Sequence, residues 1–447
     1  MMPSFRWGFR GAFAAAGVAA LVWAAAPDSP RTPAHIFTSA PKYDPQAWLT
    51  GKDRFPAGAT LIYADGQKRR PVATGFYATA DAAVSFDGQK ALFAGKRDGA
   101  AHWQIWEIAL AGGEPKQITS CDSDCVRPLY VPPNLVAYTQ VAAHGSDIEI
   151  MPLAGGNATQ LSYGPGWRLT DDVLRDARIL FENAGASGVR DLYTVYPDGT
   201  GVESLRCDHG PDRTGAHQLA AGEVVFTSAG RFAEFVSALA VQSAIPQQPK
   251  GEPAGPVAEV APGKWLIALR ANASGLFALN EWTRANGQLS ELERPEKANA
   301  VEPVLVAPRV PPRDFPSAMV TTRTNGNLLC LNAKESKEPI SEPVSAVRVY
   351  TSGAGGAPVT LGQAPVERDG SFYVQVPADK PIRIELLNAA GRTVRAEREW
   401  FWMRPSEQRV CVGCHAGPER SPENKVPEVL NRTIVPFKLL GEAAQTQ

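Results

Sequence analysis

Hydrophobic and polar positions along this chain alternate in short runs, each cut off by glycine, proline or an Asp-Gly pair. The clearest unit spans residues 83–119. Ser85-Phe86-Asp87-Gly88-Gln89-Lys90 is a turn with Asp-Gly at its tip. Ala91-Leu92-Phe93-Ala94 is a short apolar strand, and residues 96–99 form a polar turn. Trp103-Gln104-Ile105-Trp106-Glu107-Ile108 alternates with period two. Gly112-Gly113 then turns the chain into a closing Gln117-Ile118-Thr119. Strand, turn, strand, glycine turn, strand is one antiparallel sheet.

The unit returns. Leu135-Val136-Ala137-Tyr138 and Asp147-Ile148-Glu149-Ile150 lead to Gly155-Gly156 and Thr159-Gln160-Leu161-Ser162. Arg178-Ile179-Leu180-Phe181 and Asp191-Leu192-Tyr193-Thr194-Val195 lead to Pro197-Asp198-Gly199 and Glu203-Ser204-Leu205. Residues 223–227 open a fourth unit, 264–269 and 275–279 a fifth, and a degraded sixth covers 300–332. A period of about 40 to 45 residues marks propeller blades, which bury their faces against one another so that none needs a core of its own. The Ser-Phe-Asp-Gly-Gln-Lys-Ala-Leu-Phe opening at 85–93 and the Gly-Gly-Glu-Pro-Lys-Gln-Ile-Thr ending at 112–119 resemble the repeats of TolB-type β-propellers. That resemblance implies a fold and leaves activity open.

The pattern changes after Val344. Val347-Arg348-Val349-Tyr350, Ser371-Phe372-Tyr373-Val374-Gln375-Val376 and Pro381-Ile382-Arg383-Ile384-Glu385-Leu386-Leu387 read as hairpin strands separated by glycine, Asp-Gly and Asn-Ala-Ala-Gly turns. They predict a small sandwich. The chain is therefore expected to be all-β: a six-bladed TolB-like propeller over 46–336, a small β-sandwich over 337–400, and a C-terminal segment over 401–447.

At 447 residues there is ample length for such domains. Lys and Arg number 45 against 46 Asp and Glu, and this near-neutral balance argues against nucleic acid as a partner. The first 45 residues read differently. Arg6 and Arg10 precede an uncharged apolar run at 11–26, Ala24-Ala25-Ala26 offers a cleavage site with Pro27 directly after it, and 27–45 is a proline-rich linker. The run fits a signal peptide or a retained membrane anchor, and either sends the chain to the periplasm.

The candidate chemistry is Cys411-Val412-Gly413-Cys414-His415. C-x-x-C-H is the attachment site of a c-type haem: Cys411 and Cys414 each form a thioether to the porphyrin, and His415 becomes an axial iron ligand. A thioredoxin-like dithiol needs a βαβ setting, and a zinc site needs a second ligand pair at matching spacing; the sequence has neither. Nor does it hold an H-E-x-x-H, a G-x-S-x-G or a phosphate-binding glycine loop.

Met403-Arg404-Pro405-Ser406-Glu407-Gln408-Arg409-Val410 runs directly into the motif. With the β domain and TolB-like propeller before it, this stretch resembles the proteins related to the α subunit of hydrazine synthase. The resemblance implies a secreted propeller, a middle β domain and covalent haem. It transfers Cys411, Cys414 and His415 as haem-binding residues. This chain has a single C-x-x-C-H where the hydrazine-forming subunit carries more than one haem, so hydrazine synthesis itself is not transferred.

Only 32 residues follow His415, with neither Met nor His among them, so a second iron ligand comes from upstream or is missing. Met403 and His217 are the leading candidates, with His102 and His209 behind them. A Met ligand raises the potential and suits electron transfer, whereas an open position suits binding of a small molecule. The aromatic run Trp400-Phe401-Trp402 either walls off the haem or caps the sandwich core. Cys121, Cys125, Cys207 and Cys330 remain, and in an oxidising compartment they read as two disulfides with three pairings open. Cys121 with Cys125 closes a small loop and leaves Cys207 with Cys330 to staple distant blades.

The reading that leads from sequence is an exported monohaem cytochrome c, which passes electrons to a redox partner protein and uses the propeller as docking scaffold. Its rivals are a haem enzyme acting on a small nitrogen or oxygen species and a non-redox binding scaffold.

Overall fold

Six four-stranded antiparallel sheets follow one another around a ring in this computed structural model. The structure describes residues 32–185, 188–206, 212–413 and 421–441. Blade one runs from Ala78–Val84 at the axis through Lys90–Lys96 and Gln104–Ala109 to Lys116–Gln117 at the rim. Blade two holds Asp124–Val131, Leu135–Ala142, Gly145–Pro152 and Thr159–Gln160, and blade three Trp167–Val173, Ile179–Ala184, Arg190–Val195 and Glu203–Ser204. Blade four starts at Arg213–Gln218 and blade five at Glu252–Ala261. The alternation seen in sequence is now burial: Phe93, Phe181, Phe226 and Ile267 are sealed between neighbouring blades.

The sixth blade corrects the sequence expectation. Its inner strand is Asn299–Leu305, but its other strands come from the opposite end of the propeller sequence: His35–Ala40, Thr60–Asp65 and Lys68–Pro71. His35–Ala40, expected in a proline-rich linker, pairs with both Asn299–Leu305 and Thr60–Asp65. Ring closure supplies the reason. A blade built from both termini leaves no open edge and ties the first blade to the last.

Each inner strand breaks register where it lines the axis. Breaks fall between Ala80 and Ala83, Val126 and Leu129, Thr170 and Asp172, Thr214 and His217, and Ala254 and Ala258. A β-bulge re-aims a side chain. Here the bulges gather Asp81, Arg127, Asp171 and Glu302 at the axis, where Arg54 enters from the loop between the first two strands. Arg54 pairs with Asp81 and, at 2.5 Å, with Glu302, while Arg127 pairs with Asp171 at 2.8 Å. These groups are buried, two guanidiniums facing three carboxylates, and burial pushes the Asp171 carboxyl well above its usual range.

Residues beyond 305 cross over the propeller, where Phe315 stacks on Tyr196 at 4.2 Å, and enter a two-sheet sandwich. One sheet is ordered Gln408–Gly413, Asn325–Asn332, Phe372–Pro377, Phe437–Lys438. The other is ordered Pro358–Pro365, Ala346–Ser352, Pro381–Leu387, Thr393–Ala396, with Phe401–Trp402 added to Pro381–Leu387. Leu328, Val374 and Val376 from the first sheet meet Val347, Val349 and Leu386 from the second. The sandwich thus starts earlier than expected and takes in the strand that begins the C-x-x-C-H motif. Asn325–Asn332, assigned from sequence to the last blade, is its central strand. The expected N-terminal signal or anchor lies outside the described residues. Among the described residues no helix is long and apolar enough to cross a membrane.

Candidate functional site

Cys411 sits on Gln408–Gly413, which pairs in parallel with Asn325–Asn332. The strands bring Leu328 opposite Arg409, Cys330 opposite Cys411, and Asn332 opposite Gly413. Side chains alternate across a strand, so Cys411 shares its face with buried Cys330 and packs against the sandwich core. Burial pushes the Cys411 thiol up. Arg409 opposes that shift, and Glu397, Glu203 and Glu407 add to it. Position 413 requires glycine for a steric reason: a Cβ there would lie 2.6 Å from the Glu335 carbonyl oxygen and 2.8 Å from its Cβ. Cys414 and His415 lie outside the described residues.

The residues before the motif form a clamp onto the propeller. Trp402 is 1 % exposed and inserts between blades two and three, among Ile148, Leu161, Phe181 and Val202. Its indole Nε1 donates to the Gly199 carbonyl at 3.0 Å, and its ring meets Tyr163 edge-on at 6.0 Å. Met403, next along the strand, points the other way into the sandwich core. Arg404 donates to the Tyr163 hydroxyl and to the Gln160 carbonyl and pairs with Asp379 at 2.9 Å. The Glu407 carboxylate accepts from the Gly201 amide at 3.1 Å, the Arg404 amide at 2.8 Å and the Arg409 guanidinium at 2.9 Å. Arg409 in turn donates to the Val202 carbonyl at 3.0 Å. Four of the eight residues Trp402–Arg409 therefore grip the Gly199–Val202 turn of blade three and its neighbours.

Known proteins share this part of the chain. Residues 348–416 match the family described as "Hydrazine synthase alpha subunit middle domain", a match that ends one residue beyond His415. Hydrazine synthase subunit alpha of Kuenenia stuttgartiensis is 35% identical over 60 residues, 13% of this chain and 7% of that one. This chain is related to the hydrazine synthase alpha subunit. The fold agrees over a wider span: the Kuenenia stuttgartiensis hydrazine synthase structure superposes with a TM-score of 0.79 over 90% of this chain and 72% of its own, at 15% identity. A TolB from Acinetobacter baumannii aligns at TM-score 0.49 and 15% identity, over 62% of this chain and 67% of its own. The sequence match to the curated subunit spans a small fraction of that subunit's length.

Within this hydrazine synthase alpha-related chain, of the two leading candidates for a second iron ligand Met403 shares the sandwich core with Cys411, and His217 lies in the propeller. Met403 is fully buried, its Cβ and Cε packed so closely that a Cβ on Gly326 would lie 2.9 and 3.0 Å from them. His217 sits on the inner strand of blade four with Nδ1 2.9 Å from Asp172. Burial pulls the His217 pKa down, but the Asp172 charge and hydrogen bond outweigh it and raise it overall. His102 pairs with Asp124 at 3.2 Å, and His209 lies outside the described residues. Of the spare cysteines, Cys121 and Cys125 form a disulfide. Cys330 belongs to the sandwich, so it cannot staple two blades as expected; Cys207 lies outside the described residues.

A cleft of about 340 Å³ opens beside the end of the motif strand. Val412, Leu331, Asn332 and Glu335 form one side, and residues 421–427, which follow the motif, contribute Ser421, Glu423 and Lys425. The donor chemistry fits a covalent haem: a thiol on a strand held rigid from both domains, followed at a sterically required glycine by the second thiol and imidazole of the motif. No His, Met, Tyr or Cys lines the cleft among the described residues. The clamp went unnoticed in sequence, although Trp402, Arg404, Glu407 and Arg409 all lie in the stretch that carried the family resemblance.

Proposed function

We propose that this chain is an exported haem protein that binds and transforms a small nitrogen or oxygen species. Cys411 and Cys414 would hold one haem covalently, and His415 would ligate its iron. The group, when bound, would supply a redox-active iron able to interact with a small molecule. One observation carries this reading: the motif strand is clamped to the propeller beside a cleft walled by the polar side chains of Asn332, Glu335 and Lys425. The chain's own part is to fix the attachment strand and to present polar Asn332, Glu335 and Lys425 at the cleft wall. The relation to a protein named for hydrazine synthesis supports small nitrogen chemistry.

Electron transfer to a redox partner protein is the second reading. The motif strand lies at a sheet edge, and Val410, beside Cys411, is 58 % exposed. That edge would give a partner close approach to the cofactor. The expected N-terminal signal or anchor would place either activity in the periplasm.

The absorption spectrum of purified holoprotein, with and without carbon monoxide, separates the two. A high-spin haem that binds carbon monoxide supports the enzyme. A low-spin, six-coordinate haem inert to it supports electron transfer. A chain that stays unstained for covalent haem after expression with cytochrome maturation proteins defeats both.

A further inference from the structure

We infer that the turn at 367–371 braces both ends of the loop that carries Cys414 and His415, with Asp369 as the positioning residue that fixes the imidazole on the iron. The role toward iron rests on the haem reading above. The sequence marks this stretch only as an Asp-Gly turn. In the fold it joins Pro358–Pro365 to Phe372–Pro377 and so crosses from one sheet of the sandwich to the other. On one side it holds the point where the motif strand ends. The Gly370 carbonyl accepts from the Ala333 amide at 2.8 Å, and the Arg368 carbonyl accepts from Lys334 Nζ at 2.6 Å. Both donors directly follow Asn332, the residue paired with Gly413. A Cβ on Gly370 would collide with the Asn332 carboxamide oxygen, so glycine is what lets the two segments meet.

On its other side the turn holds the chain that follows the motif. Asp369 Oδ2 accepts from the Glu428 amide at 2.8 Å, Ser371 Oγ accepts from the Val429 amide at 3.1 Å, and Glu367 pairs with Arg432 at 3.0 Å. The Ser371 amide and hydroxyl both donate to Asp369 Oδ1, at 2.9 and 2.6 Å, and so fix the carboxylate. Burial opposes ionisation of Asp369, but the bonds from Glu428 and Ser371 outweigh it and hold the carboxyl below its usual range. The acceptor is therefore charged, which strengthens its bonds. One brace can serve both ends because they lie together: Val412, Ser421 and Pro422 line the same cleft of about 340 Å³. The eight residue steps from Gly413 to Ser421 could reach roughly 28 Å if extended. Such slack leaves a loop many conformations unless both its ends are fixed.

The test compares the full chain with its Asp369→Ala and Asp369→Asn variants. Each is first expressed without maturation proteins, and tryptic cleavage after Arg420 and Lys425 is timed by mass spectrometry. Ala is expected to speed cleavage several-fold, and Asn, which keeps an acceptor for the Glu428 amide, to fall between. Each is then expressed with maturation proteins, and its reduction potential and absorption spectrum are measured at equal covalent haem. An imidazole ligand donates to ferric iron and lowers the potential. A loosened His415 should therefore raise it in the Ala chain, with Asn closer to the unaltered value. A merely structural turn would lower the thermal midpoint and leave the potential alone. Unchanged cleavage overturns the inference, and so does an unchanged potential in a folded Ala chain. If Ala prevents folding, the Asn chain decides by the same two readouts. Absence of covalent haem from the unaltered chain, with cleavage still faster in the variants, defeats the haem reading and with it the positioning role, while the brace stands.

Discussion

The indole nitrogen of Trp402 donates to the backbone carbonyl of Gly199 at 3.0 Å, joining the sandwich to blade three of the propeller. This one bond runs from the residue expected to shield a cofactor or cap the sandwich to a turn glycine visible in the third repeat. The ring around it fills the space between two blades. The propeller is thus bound to the attachment strand and fixes where Cys411 lies.

Replacing Trp402 by Ala should uncouple the domains. Emptying a buried indole site costs about 3–5 kcal/mol. Denaturant unfolding should show a single transition splitting in two, and limited proteolysis should cut within 306–324, between the propeller and the sandwich. An unchanged midpoint and an uncut linker would mean the sandwich is held by other contacts.

Glu407→Ala removes the carboxylate shared by Gly201, Arg404 and Arg409. It leaves a mostly buried Arg409 without its partner and should cost about 3 kcal/mol. Glu407→Gln, which keeps the shape and one acceptor, should recover part of that. Both are read as thermal midpoints. An Ala variant as stable as the Gln variant would argue against the charge.

Gly413→Ala should spoil attachment without unfolding the propeller. The new methyl carbon would meet Glu335 at 2.6 and 2.8 Å, so the strand end must move away from Asn332. Covalent haem per chain should fall several-fold while the circular dichroism spectrum stays as before. Normal loading would show that this end of the strand is free to shift.

His217→Ala separates a structural from a ligating role. The His217 pKa is raised above 6.5 and that of Asp172 is lowered below 3.8 by their contact, burial opposing both ionisations less strongly than the pair favours them for His217. Stability from the raised histidine is complete below pH 6.5 and fades as pH rises through its folded pKa; that from Asp172 fades as pH falls below about 3.8. The variant should therefore lose about 1 kcal/mol between pH 4 and 6.5 and little at pH 9. Its haem absorption spectrum should match that of the unaltered protein. A changed spectrum would return His217 to the iron.

How much of this was legible follows from the range over which each signal acts. Turns and period-two strands are local, so Asp87-Gly88, Gly112-Gly113 and Pro197-Asp198-Gly199 announced the repeats without any knowledge of the fold. The C-x-x-C-H spacing is local as well, because two thiols and an imidazole must reach one porphyrin. The sequence alone therefore determined an all-β chain of repeating sheets and singled out Cys411-Val412-Gly413-Cys414-His415 as the candidate attachment motif. The tertiary structure decided the rest. Pairing of Cys330 with Cys411 joins strands 81 positions apart, and His35–Ala40 closes a ring with Asn299–Leu305. No local pattern encodes such partners, since hydrogen bonds between strands form with whatever backbone packing brings alongside. The same holds for Trp402 and Met403: alternation sends neighbours to opposite sides, but only the docked domains decide that one side is the propeller and the other the sandwich core.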